Sequence, residues 1–206
     1  MRNGGRSYGR EAVQALLKRM EDDRERLVVV LAGYPSEMES LLRTNPGLSS
    51  RFNTKLTFED YAPSELGHIF GSMCDVNHYV LPAKTRARLL LGFRGLYDDR
   101  DEHFGNGRLV RNLFENAIRR LANRIAGVAP LTKELLTRIQ PEDVQIDELP
   151  PEYWQPLEDG SLRFTIRCEG CGETTEVPPK YLGRKVRCKR CEAKFVAAWG
   201  DPVMPE

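Results

Sequence analysis

The sequence predicts an α/β segment followed by a bundle of helices and a small β module at the carboxyl end. Three observations carry this fold class. Residues 27–32 (LVVVLA) form a continuous apolar run of the kind that buried parallel strands show, and residues 55–58 form a second strand-like run. From residue 63 to residue 139 the apolar residues recur at helical spacing. Four cysteines then stand in two CxxC pairs within a stretch of alternating apolar and polar residues.

Length and composition set the class of protein. The chain has 206 residues, enough for one medium domain and one small domain. A hydrophobic content of 40%, a charged content of 30% and a net charge of +1 indicate a globular protein and favour no particular partner. The sequence shows neither an apolar run of about 20 residues nor the apolar segment of a signal peptide. We therefore expect a cytoplasmic protein without a membrane span.

The helical periodicity predicts four helices joined by short loops, which is typical of a small bundle. One begins at Pro63, a second spans about residues 83–97, a third spans about residues 106–125 and a short fourth spans about residues 132–139. Residues 142–161 are rich in Pro, Glu and Asp, so we interpret them as a solvated linker. The resulting domain boundaries are 1–60 for the α/β part, 61–141 for the bundle, 142–161 for the linker and 162–199 for the cysteine module.

Three separated stretches stand in the same order as in a known family: GREAVQALLKRMEDDRERLVVVLAGYPSEMESLLRTNPGLSSRF, FEDYAPSEL and FGNGRLVRNLFENAIRRLANR. They resemble the CbxX/CfqX-type AAA+ ATPases, a family that includes red-type rubisco activases and ATPases associated with type VII secretion. The resemblance covers about residues 8–144. It implies that residues 1–60 are the carboxyl-terminal half of an AAA+ α/β core and that the bundle is the AAA+ helical lid.

The resemblance also implies roles for individual arginines. Arg51, in NPGLSSRF, matches the arginine finger, which reaches across a subunit interface to the γ-phosphate of a neighbour's ATP. A planar, permanently charged guanidinium suits phosphoryl oxygens. Arg108, in FGNGRLVRN, matches the sensor-2 arginine, which contacts ATP bound to its own subunit. Arg111 lies one turn further on the same helix face and is the second candidate; its alternative is an ordinary solvated or salt-bridged arginine.

The departures from the family concern the phosphate-binding machinery. The 206 residues contain no GxxxxGK[ST] phosphate loop, and no strand ending in paired acidic residues precedes Glu11. ATP and Mg²⁺ can therefore bind only with the missing amino-terminal half of the core. We expect this chain to be a fragment or misassigned-start version of a longer ATPase, or a degenerate paralogue. By itself it should not hydrolyse ATP.

The four paired cysteines predict a zinc site. Cys168 and Cys171 are followed after sixteen residues by Cys188 and Cys191, a spacing that places four thiolates around one Zn²⁺. Residues 162–199 resemble a prokaryotic zinc ribbon with a VP dipeptide and a GRKVRC strand. Four thiolate ligands leave no open coordination position, so the zinc is expected to be structural.

The ligand of this ribbon stays open at the sequence level. Residues 162–199 carry nine Lys or Arg against four Glu, a balance that attracts nucleic acid or acidic protein segments. Tyr181, Phe195 and Trp199 offer stacking surfaces for bases, but such aromatics also cover metal sites. The sequence allows nucleic-acid binding, docking of a protein, or a purely structural role.

Two functions follow from the sequence. In the first, the chain is the carboxyl-terminal part of an AAA+ ATPase whose ring, a hexamer, couples ATP hydrolysis to remodelling of a client protein. In the second, the chain is a non-enzymatic adaptor whose ribbon binds nucleic acid or protein. ATP affinity that needs a partner chain favours the first, and ligand binding that survives deletion of residues 1–145 favours the second.

Overall fold

The computed structural model describes the backbone of residues 5–204 and the side chains of residues 9–204. The chain forms two compact units, Met1–Glu59 and Asp60–Glu206. Across the described ranges, no helix has the length and apolarity needed to cross a membrane.

The first unit contains three helices: α1 (Gly5–Asp22), α2 (Pro35–Thr44) and α3 (Pro46–Ser49). Residues 27–32 and 55–58, the two predicted strands, have no strand pairing, and Val28 and Phe58 are 88% and 91% exposed. The physical reason is that a parallel strand needs neighbouring strands at its edges and helices over both faces. Two short apolar runs without such neighbours stay extended and exposed.

The second unit begins with the bundle, whose helices are α4 (Pro63–Val76), α5 (Ala83–Asp98), α6 (Asn106–Ile125) and α7 (Lys133–Thr137). This confirms the four predicted helices. Pro63 occupies the first turn of α4, where its missing N–H costs nothing, and the Glu65 carboxylate accepts a hydrogen bond from the Ala62 N–H at 2.8 Å. Phe70 and Phe114 meet edge to face at the centre of the bundle, 5.5 Å between ring centroids.

The ribbon follows as two small antiparallel sheets. Strands β1 (Arg163–Arg167), β2 (Thr174–Val177) and β5 (Asp201–Val203) form one sheet in the order β2-β1-β5, and β3 (Lys185–Arg187) and β4 (Lys194–Val196) form a hairpin. Phe164 and Ile166 alternate inward along β1 and are fully buried, as the period of a strand requires. A small β module is thus confirmed at the carboxyl end.

Residues 142–161 are packed on α5, so the expectation of a solvated tether is wrong. Two glycines of α5 make room for the segment. A Cβ atom at Gly92 would collide with the side chain of Ile146, and one at Gly95 would lie 2.6 Å from Leu149. Although the segment is acidic overall, its apolar residues Ile146 and Leu149 pack against Gly92 and Gly95. The domain boundaries themselves stay predictions.

Polar contacts complete the packing of this segment. The Arg88 guanidinium donates a hydrogen bond to the Val144 carbonyl at 2.8 Å and stacks 4.1 Å from the Trp154 ring centroid. Arg124 forms a two-pronged ion pair with the buried Asp143 carboxylate, with N–O distances of 2.9 and 2.8 Å. The hydrogen bond with Asp143 raises the pKa of Arg124. Since the charge of Asp143 is fully paired, its burial is tolerated.

The ribbon is also packed on the bundle, through Trp199. Its indole lies across Gly67 and Gly71 of α4, where a Cβ atom would approach within 2.5 and 2.9 Å of the ring. The Arg86 guanidinium stacks on the indole, 4.6 Å from the ring centroid, and donates to the Ala198 carbonyl at 3.3 Å. The Asp201 carboxylate accepts from the Ser64 N–H at 3.1 Å. Bundle and ribbon therefore share one continuous core.

Substitution of Trp199 tests this shared core. We expect Trp199→Ala to lower the free energy of unfolding by about 3–5 kcal/mol, because a buried aromatic is lost and a cavity remains over α4. Tyr181→Ala removes a half-exposed aromatic of the same ribbon and is the control, with little expected effect. The measurement is denaturant unfolding followed by circular dichroism. Equal midpoints for the two variants would contradict the packing.

Candidate functional site

A hydrogen-bond network fixes the amino end of α6 to the start of the second unit. The Asn106 side chain donates to the Asp60 carboxylate at 2.7 Å and accepts from the Tyr61 backbone N–H at 2.9 Å. Arg100 donates to the same carboxylate at 3.2 Å. Asn106 has a φ of 45°, a left-handed conformation that Asn tolerates better than most residues. The network holds the first turn of α6 in a defined position.

Arg108 and Arg111 stand in this first turn and are both exposed. Their three-residue spacing puts them on one face of α6. Among the residues that the structure describes, no side chain hydrogen-bonds or ion-pairs with either guanidinium. The amino end of a 20-residue helix adds unpaired N–H groups and a favourable dipole for anions. The face can therefore receive phosphate oxygens without first breaking an ion pair.

Arg51 lies in the first unit, shortly after α3. Its guanidinium donates to the Glu21 carboxylate at 2.8 Å and to the Gly47 carbonyl at 3.4 Å. The side chain is 36% exposed and that of Glu21 is 60% exposed. Exposed ion pairs contribute about 0–1 kcal/mol, so this contact is easily exchanged for a stronger anion such as a phosphate.

The four paired cysteines lie together, with all four sulfur atoms within 4.8 Å of one another. The Cys168 and Cys191 sulfurs are 3.6 Å apart, and those of Cys171 and Cys188 are 3.7 Å apart. A tetrahedral zinc site with Zn–S bonds of about 2.3 Å requires sulfur–sulfur separations of about 3.8 Å. The donor set and its spacing thus fit a zinc ion, and the cluster can hold a metal.

Two matching turns build the cluster. The N–H of Cys168 donates to the Glu173 carbonyl at 2.8 Å, and the N–H of Cys188 donates to the Ala193 carbonyl at 2.9 Å. Four residues after the first cysteine of each turn, Gly172 and Glu192 have φ values of 73° and 60°. The two CxxC loops therefore have the same backbone course, which brings two sulfurs from each loop to a common point.

The thiols of the cluster differ in acidity. Backbone N–H groups of residues 191 and 190 stabilise the Cys188 thiolate and lower its pKa to about 7. At Cys171 the N–H of Glu173 lowers the pKa, but the neighbouring sulfurs and burial together raise it to about 12. Four adjacent thiolates repel one another, so full deprotonation of the cluster needs a cation at its centre.

Cys74 is separate from the cluster. It is 1% exposed in α4 and belongs to the core of the bundle, as the sequence predicts. Burial raises the pKa of its thiol to about 12, so the reactive thiolate is almost absent at neutral pH.

Of the three ribbon aromatics that could offer a stacking surface, Tyr181, Phe195 and Trp199, two are unavailable for stacking on bases. Phe195 and Trp199 are only 7% and 8% exposed, whereas Tyr181 is 40% exposed and has the Lys180 amine 5.4 Å from its ring centroid. Phe195 and Trp199 are therefore interior residues rather than stacking surfaces, and Trp199 packs on α4.

Sequence reasoning missed Asp60 and Asn106, which position the arginines of α6, and the groove of Gly67 and Gly71 that receives Trp199. The Gly67-x3-Gly71 spacing on a helix was a usable signal, because it leaves one face without side chains. The Asp60–Asn106 contact joins residues far apart in the sequence and left no local signal.

Comparison with known proteins identifies the bundle. The family model described as AAA lid domain matches residues 62–152. The bundle with its packed acidic segment is therefore an AAA lid domain, the helical subdomain of AAA+ proteins.

Similar curated proteins narrow this class. "Protein CfxQ homolog" of Guillardia theta is 43% identical over 141 residues, which are 68% of this chain and 47% of that protein. "Protein CbbX" of Cereibacter sphaeroides is 39% identical over 144 residues, 68% of this chain and 45% of that protein. "Ribulose bisphosphate carboxylase/oxygenase activase, chloroplastic" of Cyanidioschyzon merolae is 38% identical over 141 residues, 68% of this chain and 47% of that protein.

The chain thus carries an AAA lid domain and has relatives of the CfxQ/CbbX (CbxX/CfqX) type of AAA+ proteins, and it spans a little under half the length of these curated relatives.

Proposed function

We propose that this chain supplies the carboxyl-terminal part of an AAA+ ATPase that couples ATP binding and hydrolysis in a ring to the remodelling of a client protein. In this function Arg51 acts in trans as the arginine finger, and Arg108, assisted by Arg111, acts in cis as sensor 2. The ATP and Mg²⁺ are held with a core half that carries a phosphate loop. The ring is a homo-oligomer, proposed to be a hexamer, that works in the cytoplasm.

The observation that carries this proposal is the state of Arg108. It stands exposed and without a described partner in the first turn of α6, and the Asn106–Asp60 contact fixes that turn. A guanidinium held ready but unpaired at a helix amino end suits a phosphate ligand. The name of the Cyanidioschyzon merolae relative supports a protein, rather than a small molecule, as the client.

The test joins residues 1–206 in frame to the phosphate-loop half of the Guillardia theta relative. We expect this fusion to hydrolyse ATP and the 206-residue chain alone not to. In the fusion, Arg108→Ala should weaken ATP binding about 10- to 100-fold, because charged hydrogen bonds to phosphate contribute about 1.5–3 kcal/mol. Binding of a fluorescent ATP analogue and phosphate release are the two measurements.

Arg119→Ala is the matched control, since Arg119 is an exposed arginine of α6 far from its amino end. It should leave both ATP affinity and turnover unchanged. Equal behaviour of the two variants would contradict the sensor-2 assignment, and ATP hydrolysis by the 206-residue chain alone would contradict the need for a second core half.

We further propose that Cys168, Cys171, Cys188 and Cys191 hold a structural Zn²⁺. The four sulfurs are all protein ligands, so zinc bound there supplies folding energy and cross-linking rather than catalysis. Zinc binding also stabilises the lid, because Trp199 lies on α4 and is only eight residues from Cys191.

The adaptor function is the second candidate, and the basic surface of the ribbon favours it. Because the ribbon packs on the lid, deletion of residues 1–145 would remove part of its core. Deletion of the first unit, residues 1–59, is the better experiment. Ligand binding that survives this deletion, with no ATP binding in the fusion, supports the adaptor function.

A further inference from the structure

The outer face of the β3–β4 hairpin concentrates positive charge. Strand pairing sets Arg187 opposite Lys194 and Lys185 opposite Val196, and all four residues are exposed. Val186 and Phe195 point to the other face, towards the interior. Like charges directly opposite each other in a sheet destabilise it. We call Lys185, Arg187, Lys194 and Val196 the basic face.

Within the part of the chain that the structure describes, no contact offsets this charge. Among the described residues, no carboxylate forms an ion pair or hydrogen bond with Lys185, Arg187 or Lys194. The neighbouring Arg190, by contrast, is paired with Glu173 at 2.8 Å. The basic face thus has the electrostatic character of a surface that meets an acidic partner.

The same chain carries an acidic surface. Residues 142–160 contain seven Asp or Glu and no Lys or Arg, and all of these acids except Asp143 are exposed. Asp147, Glu148 and Glu152 form no ion pair within the described chain. We call these three residues the acidic band. Because the segment is packed on α5 through Ile146, Leu149 and Trp154, the band is held on a structured surface.

The ribbon and the acidic segment contact different sides of α5. The ribbon contacts α5 at Arg86, whereas the acidic segment contacts it at Arg88, Gly92 and Gly95. At 3.6 residues per turn, positions 88, 92 and 95 lie about 180–240° around the helix from position 86. The ribbon and the acidic segment therefore lie on different sides of α5, and among the described residues no ion pair joins the basic face to the acidic band.

We propose that the basic face of one copy of this chain docks on the acidic band of a second copy, forming a head-to-tail contact that needs no nucleotide. When such a contact repeats in one direction from copy to copy, it generates rings or open filaments. The exposed aromatic content of the basic face is nil, and Phe195 and Trp199 are buried. A single nucleic-acid strand would find no stacking platform there, which favours an acidic protein surface as the occupant.

The test measures self-association of the full 206-residue chain by sedimentation velocity in nucleotide-free buffer. The wild-type chain should associate at low salt and become monomeric at about 1 M salt, where the Debye length is about 3 Å. Two triple variants reverse one surface each: the basic-face variant carries Lys185→Glu, Arg187→Glu and Lys194→Glu, and the acidic-band variant carries Asp147→Lys, Glu148→Lys and Glu152→Lys. Each variant alone should be monomeric.

The decisive experiment mixes the basic-face variant with the acidic-band variant. The unreversed acidic band of the basic-face variant then meets the unreversed basic face of the acidic-band variant, and the two reversed surfaces also complement each other. The mixture should therefore associate although neither component does. A control that reverses three exposed charges elsewhere, Lys18→Glu, Arg119→Glu and Lys133→Glu, should associate like the wild type. Thermal melts check that every variant is folded.

Three outcomes would overturn the proposal: a wild-type chain that is monomeric at low salt, association that the basic-face variant retains, or a folded mixture that stays monomeric. A monomeric wild type whose basic face binds a single-stranded oligonucleotide would assign the face to nucleic acid instead. Failure of ATP binding in the fusion leaves this contact untouched, since the association is measured without nucleotide.

Discussion

Removal of zinc is expected to unfold the ribbon and to destabilise the lid with it. Structural zinc binds zinc-finger peptides with about 10–16 kcal/mol at neutral pH, more than a module of this size gains from its own core. When the ribbon opens, Trp199 leaves the groove of Gly67 and Gly71, so the lid loses part of its core as well. Circular dichroism before and after chelation should show loss of strand signal and a lower melting temperature of the helices.

Thiol counting makes this expectation quantitative. The chain has five cysteines. In the native metal-bound protein few should react with a thiol reagent; after chelation four should react, and Cys74 should follow only in denaturant. Cys74 should not react in the folded protein, because burial raises the pKa of its thiol to about 12. Cys188→Ala should lose the metal, whereas the control Cys74→Ala should keep about one zinc ion per chain. An unchanged fold after complete chelation would refute the structural role.

Substitution of Arg51 is expected to have the largest effect on turnover. In the fusion that carries a phosphate loop, Arg51→Ala should lower the rate of ATP hydrolysis about 10³- to 10⁵-fold, the range that arginine fingers contribute. ATP affinity should change little, because the finger stabilises the transition state of a neighbouring site. Steady-state phosphate release and analogue binding separate the two quantities.

Two controls isolate the chemical effect. Arg43→Ala removes another exposed arginine of the first unit, at the end of α2, and should leave turnover unchanged. The Arg51–Glu21 pair is exposed, so Arg51→Ala should change stability by at most about 1 kcal/mol. Two outcomes would contradict the assignment of Arg51 as the arginine finger. One is a loss of turnover in Arg51→Ala that is matched by a loss of folding, and the other is equal turnover of Arg51→Ala and Arg43→Ala.

Elements with strong local signals were predictable from the sequence. The helices of the lid have unbroken apolar periodicity, and Pro63 marks the first turn of α4, so their bounds agree closely with the structure. The zinc-type cluster was predictable as well, because the spacing of two CxxC pairs by itself prescribes how four sulfurs converge.

Elements that depend on distant partners were not predictable. Residues 27–32 have the composition of a buried strand, but a strand is defined by its neighbours, and in this chain Val28 stays exposed. The overall composition of residues 142–161 predicts an acidic linker, although Ile146 and Trp154 fit the side-chain-free face of α5. The position of Arg108 depends on Asp60, 48 residues earlier, through the Asn106 amide. The exposure of residues 27–32, the packing of residues 142–161 and the position of Arg108 all depend on contacts between residues far apart in the sequence.

The measurement that most directly tests whether Arg51 acts in trans in an AAA+ ring is the mixing of two variant subunits of the fusion protein. One subunit carries Arg51→Ala with an intact phosphate loop, and the other carries an intact Arg51 with a disabled phosphate loop. If Arg51 acts in trans and the chain is part of an AAA+ ring, each subunit alone is inactive, and the mixture recovers ATP hydrolysis where an intact loop faces an intact Arg51. Mixed rings that form but remain inactive would contradict the account.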